Sequence, residues 1–495
     1  MKQGCKTIGQ LGLQARNGRD LEITGLAVDS REVRRGSLFA ALPGTSVHGA
    51  AFIGAALERG ACAILTDMEG AVLAAEHITE HDPAVIIAED PRQALAGAAA
   101  LWFGSQPERM VAVTGTNGKT SVASFTRQIW QILGKRAINI GTTGIEGDWE
   151  TPSRHTTPEP ITLHRILAAA ATSGVDHAAM EASSHGLAQR RLDGVMLCAA
   201  GFTNFSQDHL DYHSSFEAYF DAKAGLFARV LPEDGKAVIN IDDARGIDML
   251  AIARARGQDV MTVGQDGADL CLLAQRFDAT GQDMRLSYQG RIWQVRLELI
   301  GGFQAHNVLL AAGLVIAAGE APEAVFTALP HLGGVRGRMQ LAARRENGAA
   351  VFVDYAHTPD ALATAIAALR PHVMGRLVAV IGAGGDRDRA KRPLMGAAAA
   401  SHADEVIVTD DNPRSEDPAH IRAAVLDGIE TGSAREIGDR AEAILHGVDA
   451  LGPGDALLIC GKGHETGQTI GGSVYPFDDV EQASLAVAVL DGRGL

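Results

Sequence analysis

Between Val111 and Leu133 the chain reads VAVTGTNGKTSVASFTRQIWQIL, and Gly115, Thr116, Asn117, Gly118, Lys119 and Thr120 have the types and spacing of a phosphate loop. A glycine-bearing turn between a buried strand (Val111–Val113) and a helix (Ser121–Leu133) aims backbone N–H groups at a phosphate, with the helix dipole behind them. Lys119 is then placed to reach the β- and γ-phosphates of ATP, and the Thr120 hydroxyl to sit on Mg²⁺. The usual pattern asks for glycine where Val113 stands, so a plain glycine turn is the competing reading. Val122, Phe125, Ile129 and Ile132 share one face of the expected helix and should be its buried side.

Further groups with chemistry follow. Glu181, in MEASSHG, ends the apolar-leaning segment Val175–Met180, where parallel sheets keep their ligands. A second segment, Val195–Phe202, leads into TNFSQDHLDYH with His209. A carboxylate and an imidazole at two strand ends suggest a metal site, but Mg²⁺ prefers oxygen, so His209 reads equally as a hydrogen-bonded loop histidine. Thr156 and Thr157 lie in a hydroxyl-rich turn that could hold phosphate or sugar, or simply turn the chain. Asn307, at a helix start, suits either an adenine contact or a capping amide. Lys223, in DAKAGLF, reads on its own as an ordinary exposed helix lysine.

These residues need a framework of alternating strands and helices. The 495 residues suffice for roughly three domains, and 57 glycines with 46% hydrophobic residues suit an α/β protein. A formal charge of −16 argues against nucleic acid and membrane surfaces as partners. Five scattered cysteines without a CxxC suit reduced thiols, and Met1–Leu13 lacks an apolar core of signal-peptide length, so the cytoplasm is expected. Short strands (Ser37–Ala41, Cys62–Thr66, Val85–Ala88) and a helix near Ala51–Glu58 are expected first, with a boundary at Trp102–Pro107. Beyond a glycine-rich joint at Gly333–Arg338, strands Ala350–Asp354, Leu377–Ile381, Glu405–Asp410 and Ala456–Cys460 alternate with helices Pro359–Leu369, Lys391–Ala400 and Pro418–Ile429. That alternation predicts a doubly wound parallel sheet. Its strand ends carry Asp354–His357, Gly384–Arg387, Asp410–Arg414 and Gly461–Glu465 on one edge. Arg387 and Arg414 can each fork a carboxylate and Glu465 can pair an ammonium, a set suited to a zwitterion with more than one charged end.

GTNGKT, MEASSHGL, FTNFSQDHLDYH, DNPR and GKGHE, in this order, resemble the motifs of the Mur ligase family, across essentially the whole chain. The resemblance implies three α/β domains: a small nucleotide-sugar domain (1–105), a central P-loop ATPase-like parallel-sheet domain (106–335) and a C-terminal doubly wound, Rossmann-like domain (336–495). It implies a catalytic set of Lys119, Glu181, His209 and Lys223, with Mg²⁺ on Thr120, Glu181, His209 and a carbamylated Lys223. ATP would lie on Gly115–Thr120, Asn307, Arg338 and Asp354. The nucleotide-sugar peptide would meet Ser30, Thr45, Ser46, Val47, Thr156, Thr157, Ser183, Gln189 and Arg191. DNPR followed by GKGHE resembles the members that add meso-2,6-diaminopimelate, held by Arg387, Asp411, Asn412, Pro413, Arg414, Gly461 and Glu465. The activity implied is ATP-dependent amide formation on UDP-N-acetylmuramoyl-L-alanyl-D-glutamate through an acyl phosphate, by a monomer, in cytoplasmic peptidoglycan precursor synthesis. Family members usually carry proline where Arg336 stands, which implies a less stiff joint here. A folylpolyglutamate synthase shares the loop but gives no reason for DNPR, and a nucleotide-gated binding protein gives none for Lys119, Glu181, His209 and Lys223 together.

Overall fold

The computed structural model describes residues 4–16, 18–44, 47–152, 155–206, 212–430 and 433–492. Its main-chain framework is three sheets in chain order, each covered by helices. The first has four parallel strands, β1 (Gly25–Ala27), β2 (Ser37–Ala40), β3 (Ala63–Thr66) and β4 (Ala84–Ile87), paired in that order. Helix α1 (Pro91–Phe103) then leads out of it, started by Asp90, whose carboxylate accepts from the Arg92 and Gln93 N–H groups.

The second sheet is built around β5 (Arg109–Thr114), whose residues from Met110 onward are buried. Helix α2 (Lys119–Ile132) follows it and buries Val122, Phe125, Ile129 and Trp130 completely. Each contributes roughly 1.5–3 kcal/mol of burial, which anchors the helix whose first turn is the phosphate loop. Ile132, expected on that face, is 40% exposed as the last residue of the helix. Next come β6 (Ala137–Gly141), β7 (Gly144–Gly147), α3 (Pro160–Thr172), β8 (His177–Glu181), β9 (Ala199–Phe202), α4 (Phe216–Gly225), β10 (Lys236–Asn240), β11 (Asp259–Gly264), β12 (Leu270–Asp278), β13 (Gly281–Tyr288), β14 (Arg291–Leu297) and α5 (Phe303–Ala317). The strand order is β14-β13-β12-β11-β10-β9-β5-β8-β6-β7, parallel from β12 to β6 and antiparallel at both margins. Register fixes the site: Glu181 pairs beside Val113, and Phe202 beside Thr114. The chain segments leaving β5, β8 and β9 therefore start from one edge.

The third sheet contains β15 (Gln340–Arg344), β16 (Ala350–Asp354), β17 (Leu377–Ile381), β18 (Glu405–Val408), β19 (Ser433–Glu436) and β20 (Ala456–Cys460), ordered β15-β16-β20-β17-β18-β19. All neighbours are parallel except β15, an antiparallel margin on β16. The intervening helices α6 (Pro359–Leu369), α7 (Lys391–Ala400), α8 (Pro418–Leu426) and α9 (Arg440–Asp449) cover its faces, with α10 (Asp479–Leu490) last. Asp354 pairs with Cys460, Val380 with Ile459 and Ile381 with Val408. Four polar loops thus emerge side by side. A two-stranded hairpin, β21 (Gly467–Ile470) and β22 (Ser473–Pro476), stands beyond β20.

Candidate active site

The phosphate loop is held open by a buttress from β9. The Thr116 N–H donates to the Asn204 carbonyl (2.9 Å), the Asn117 N–H to Asn204 Oδ1 (2.9 Å), and Thr203 Oγ1 to the Asn117 carbonyl (2.6 Å). Gly118 starts α2 at φ +86°, and a Cβ there would lie 2.5 Å from Asn307 Oδ1. Only glycine meets both demands, and Asn307 is seated against the loop. Lys119 Nζ donates to the Gly115 and Thr116 carbonyls at 2.9 and 2.8 Å. Asn204 and Thr203 escaped the sequence reading, although both stand in the FTN phrase that ends β9.

A cavity of about 470 Å³ opens over this loop. From the middle sheet it is lined by residues 116–120, Glu181, Ser183, Lys223 and Asn307, and from the third sheet by Arg338, Asp354 and Tyr355. Glu181 is buried, its Oε1 accepting from the Thr142 N–H (2.7 Å) and its Oε2 from the Thr142 hydroxyl (3.2 Å). Lys223 is the reverse of an exposed lysine: 1% exposed, 4.5 Å from the Tyr219 ring centre and donating to the Gly115 carbonyl at 2.6 Å. Its place in α4, directly under the loop, accounts for that burial. Arg338 stacks 4.5 Å from the Tyr355 ring centre and donates to Thr120 Oγ1 at 3.2 Å, joining the two sheets. Ser206 Oγ donates to Asp360 Oδ2 (3.0 Å) on the other side of the seam. Burial raises the Asp354 carboxyl above the usual carboxylate range, opposed by Arg338 and by the N–H groups of Met339 and Ala356.

Beside this cavity lie hydroxyls and one arginine. Thr142 and Thr156 share a hydrogen bond (2.9 Å), as do Thr157 and Ser183 (3.0 Å). Arg191 donates to the Thr157 carbonyl at 2.5 Å and to Gln189 Oε1, while Gln189 Nε2 donates to the Tyr212 hydroxyl. Burial lowers the Arg191 proton affinity. Thr156 and Ser183 reach the cavity wall; Thr157, Gln189 and Arg191 stand behind it. Ser30, in a turn after β1, and the exposed Val47, in the loop after β2, do not line that cavity. His209, Thr45 and Ser46 lie outside the described residues. Among the described residues no group of three or more His, Cys, Asp or Glu is arranged to hold a metal ion.

The amino-acid candidates form a second cluster, on the edge of the third sheet. Asp411, Asn412 and Pro413 are buried and Arg414 half-buried, with Arg387 exposed nearby. Arg414 sits at φ +52°, held by its N–H to the Thr469 carbonyl (3.0 Å) and by the Gly471 N–H to its own carbonyl (2.6 Å). Its Nη1 donates to the Gly385 carbonyl at 2.7 Å. Helix α8 is capped by Asp417, which accepts from the Ala419 N–H, so Arg414 is not its cap. Asn412 turns away to Lys462, Thr469 and Glu465. Gly461 follows β20, whose last carbonyl, that of Cys460, accepts from Arg440 Nη2 at 2.9 Å. Arg440 and Asp479 are 0% exposed and paired by two hydrogen bonds of 2.8 and 2.7 Å, a buried prop unforeseen from sequence. At the joint, Arg336 donates to Asp478 Oδ2 (3.0 Å).

Comparison with known proteins gives the frame for both clusters. Residues 22–102 match the model "Mur ligase family, catalytic domain", 113–315 the "Mur ligase middle domain" and 337–463 the "Mur ligase, glutamate ligase domain". A UDP-N-acetylmuramoyl-L-alanyl-D-glutamate–2,6-diaminopimelate ligase of Caulobacter vibrioides is 50% identical over 479 residues, 95% of this chain and 97% of the relative. The ligase of that name from Bradyrhizobium diazoefficiens is 50% identical over 474 residues, 94% and 95% of the two chains. A solved structure of a ligase with that name superposes with a TM-score of 0.71 at 35% identity, covering 98% of this chain and 99% of the other.

Proposed function

The chain belongs to the Mur ligase family, and on that premise we propose that it joins meso-2,6-diaminopimelate to UDP-N-acetylmuramoyl-L-alanyl-D-glutamate with ATP, in peptidoglycan precursor synthesis. The relatives' names support the reaction. One observation supports the chemistry: the loop lysine, Glu181, Lys223, Arg338 and Asp354 line a single cavity between two sheets. The D-glutamate γ-carboxylate attacks the γ-phosphorus of ATP, an O–P bond forms as the bond to ADP breaks, and an acyl phosphate results. The diaminopimelate amine then adds to the acyl carbon, loses a proton and expels phosphate.

The first step brings two anions together, so preorganised donors must offset the charge. Lys119 and the loop N–H groups do this for the transferring phosphoryl group, and Arg338 adds a cation from the opposite wall. Asn307 is set to meet the base, and the Asp354 carboxylate is set to meet the nucleotide from the third sheet. The donor set fits Mg²⁺, since the buried Glu181 carboxylate and Thr120 hydroxyl offer hard oxygen and the nucleotide supplies more. Mg²⁺ held there, with His209 and a carbamylated Lys223, would neutralise phosphate charge. Thr156, Thr157, Ser183, Gln189 and Arg191 orient the peptide end of the nucleotide substrate, and Ser30, Thr45, Ser46 and Val47 its uridine diphosphate end. Arg387, Asp411–Arg414, Gly461 and Glu465 present the amino acid. No described helix is long and apolar enough to cross a membrane, and the reading makes the enzyme a cytoplasmic monomer acting on small molecules.

Phosphate release with the UDP-linked dipeptide and each of several amino acids tests the reading. Release is expected with meso-diaminopimelate and to need both substrates. Equal release with L-lysine, or release with the nucleotide dipeptide absent, overturns it.

A further inference from the structure

We propose that Lys462 is the positioning residue of the amino-acid site, a buried ammonium that sets Asn412 and Glu465 in the one orientation that receives the incoming zwitterion. The proposal rests on the reading of this edge as the amino-acid site. Lysine side chains are almost never fully buried unless paired, yet that of Lys462 is 0% exposed. Its Nζ donates to Asn412 Oδ1 at 3.0 Å and to the Gly467 carbonyl at 2.7 Å, and lies 3.6 Å from Glu465 Oε2.

These bonds decide which way the Asn412 amide faces. Its Oδ1 accepts from Lys462 Nζ and also from the Thr469 N–H at 2.9 Å. An ammonium has donors only, so an amide turned the other way would oppose its NH₂ group to the ammonium and the Thr469 N–H. The lysine therefore locks Nδ2 toward Glu465, where it donates to Oε2 at 2.9 Å. Oε2 is thereby committed to the protein. Glu465, 35% exposed, keeps its other oxygen for a ligand's ammonium group.

Lys462 is enclosed and does not face the ligand; it acts through Asn412 and Glu465. Without its charge the amide oxygen keeps only the Thr469 N–H, the Glu465 carboxylate loses the ammonium beside it, and the hold on both side chains loosens. The ATP cavity is lined by other residues and should not respond. A merely structural lysine, bracing the hairpin through the Gly467 carbonyl, would instead disturb every substrate alike.

The test compares wild type, Lys462→Met, Lys462→Gln, Asn412→Ala and the Lys462→Met/Asn412→Ala double variant, all as the full chain. Phosphate release gives kcat and a KM for each of the three substrates. Lys462→Met is expected to raise the amino-acid KM about tenfold or more, with the KM values for ATP and nucleotide dipeptide within about twofold of wild type. Lys462→Gln, which keeps a donor for Asn412 Oδ1, should fall between, and serves if the methionine variant does not fold. The double variant should be no worse than the poorer single one, since both act on one carboxylate. An unchanged amino-acid KM, three KM values rising together, or additive losses would overturn the proposal. Wild type using a different amino acid would instead sink the functional reading, and the same comparison made with that amino acid still judges Lys462.

Discussion

Lys119 and Lys223, from two different helices, donate to one and the same acceptor, the Gly115 carbonyl oxygen, at 2.9 and 2.6 Å. Both side chains also line the cavity over the phosphate loop. The junction of β5 and the phosphate loop is thus already shaped for phosphate by the placement of two side chains.

For Lys119 the consequence is a charge needed chiefly as the phosphoryl group transfers. Lys119→Ala should lower turnover by about 10² or more, since the loop N–H groups still hold the nucleotide. Steady-state kinetics at saturating ATP check this, and near-normal turnover would remove the loop's assigned role.

Lys223 is buried and needs a different test. A carbamate forms only from the neutral amine, and it would put an anionic group in place of a buried cation. Lys223→Ala should lose turnover while keeping the wild-type unfolding midpoint, and added formate or acetate should restore part of it. Failure of every small carboxylate to rescue, with an unmodified mass for the intact wild-type chain, would count against carbamylation.

His164 supplies a prediction on stability. It is buried in α3, which packs on α1, its Nε2 makes no hydrogen bond among the described residues, and burial alone lowers its pKa to about 4. Unfolded, the ring titrates near 6.5, so the unfolded chain binds the extra proton between those two values. This contribution to stability is complete above pH 6.5 and falls away as the pH drops toward 4. At pH 5 the loss is about 2 kcal/mol. Denaturant unfolding of wild type and His164→Met at pH 7.5 and 5 should show a smaller acid loss in the variant; equal losses would exonerate the histidine.

The parallel strands were legible because a strand buried on both faces reads as a continuous apolar run, as Leu377–Ile381 and Ala456–Cys460 do. Segments β12 to β14 were not, since their charged outward residues (Arg276, Arg285, Arg296) break the run without marking a helix. The phosphate loop, Glu181 and the four strand-end clusters could be placed from spacing alone. The partners could not: Arg440 with Asp479, or Lys462 with Asn412, are distant in sequence and defy the rule that charges stay wet. Likewise Asn412 serves Glu465 and not Arg414, because the hairpin β21–β22 takes the Arg414 backbone itself.

That hairpin grip bears on specificity. Diaminopimelate exceeds lysine by one carboxylate on the far carbon, and a site selective for it must hold that group. Arg414 has its backbone fixed on both sides and Nη1 committed to the Gly385 carbonyl; the other guanidinium nitrogens make no hydrogen bond among the described residues. A half-buried fork with unused donors is suited to a carboxylate and is left unsatisfied by lysine. Sites built around such a polar group reject the analogue lacking it by roughly 10⁴ or more. Wild type should therefore prefer meso-diaminopimelate to L-lysine strongly, and Arg414→Ala should lose most of that preference through poorer use of diaminopimelate. Because Asp417 caps α8 in any case, the helix should survive the substitution. Measuring kcat/KM for both amino acids in both proteins decides it: a proportional fall in the two would make Arg414 a structural residue and leave the far carboxylate to Arg387.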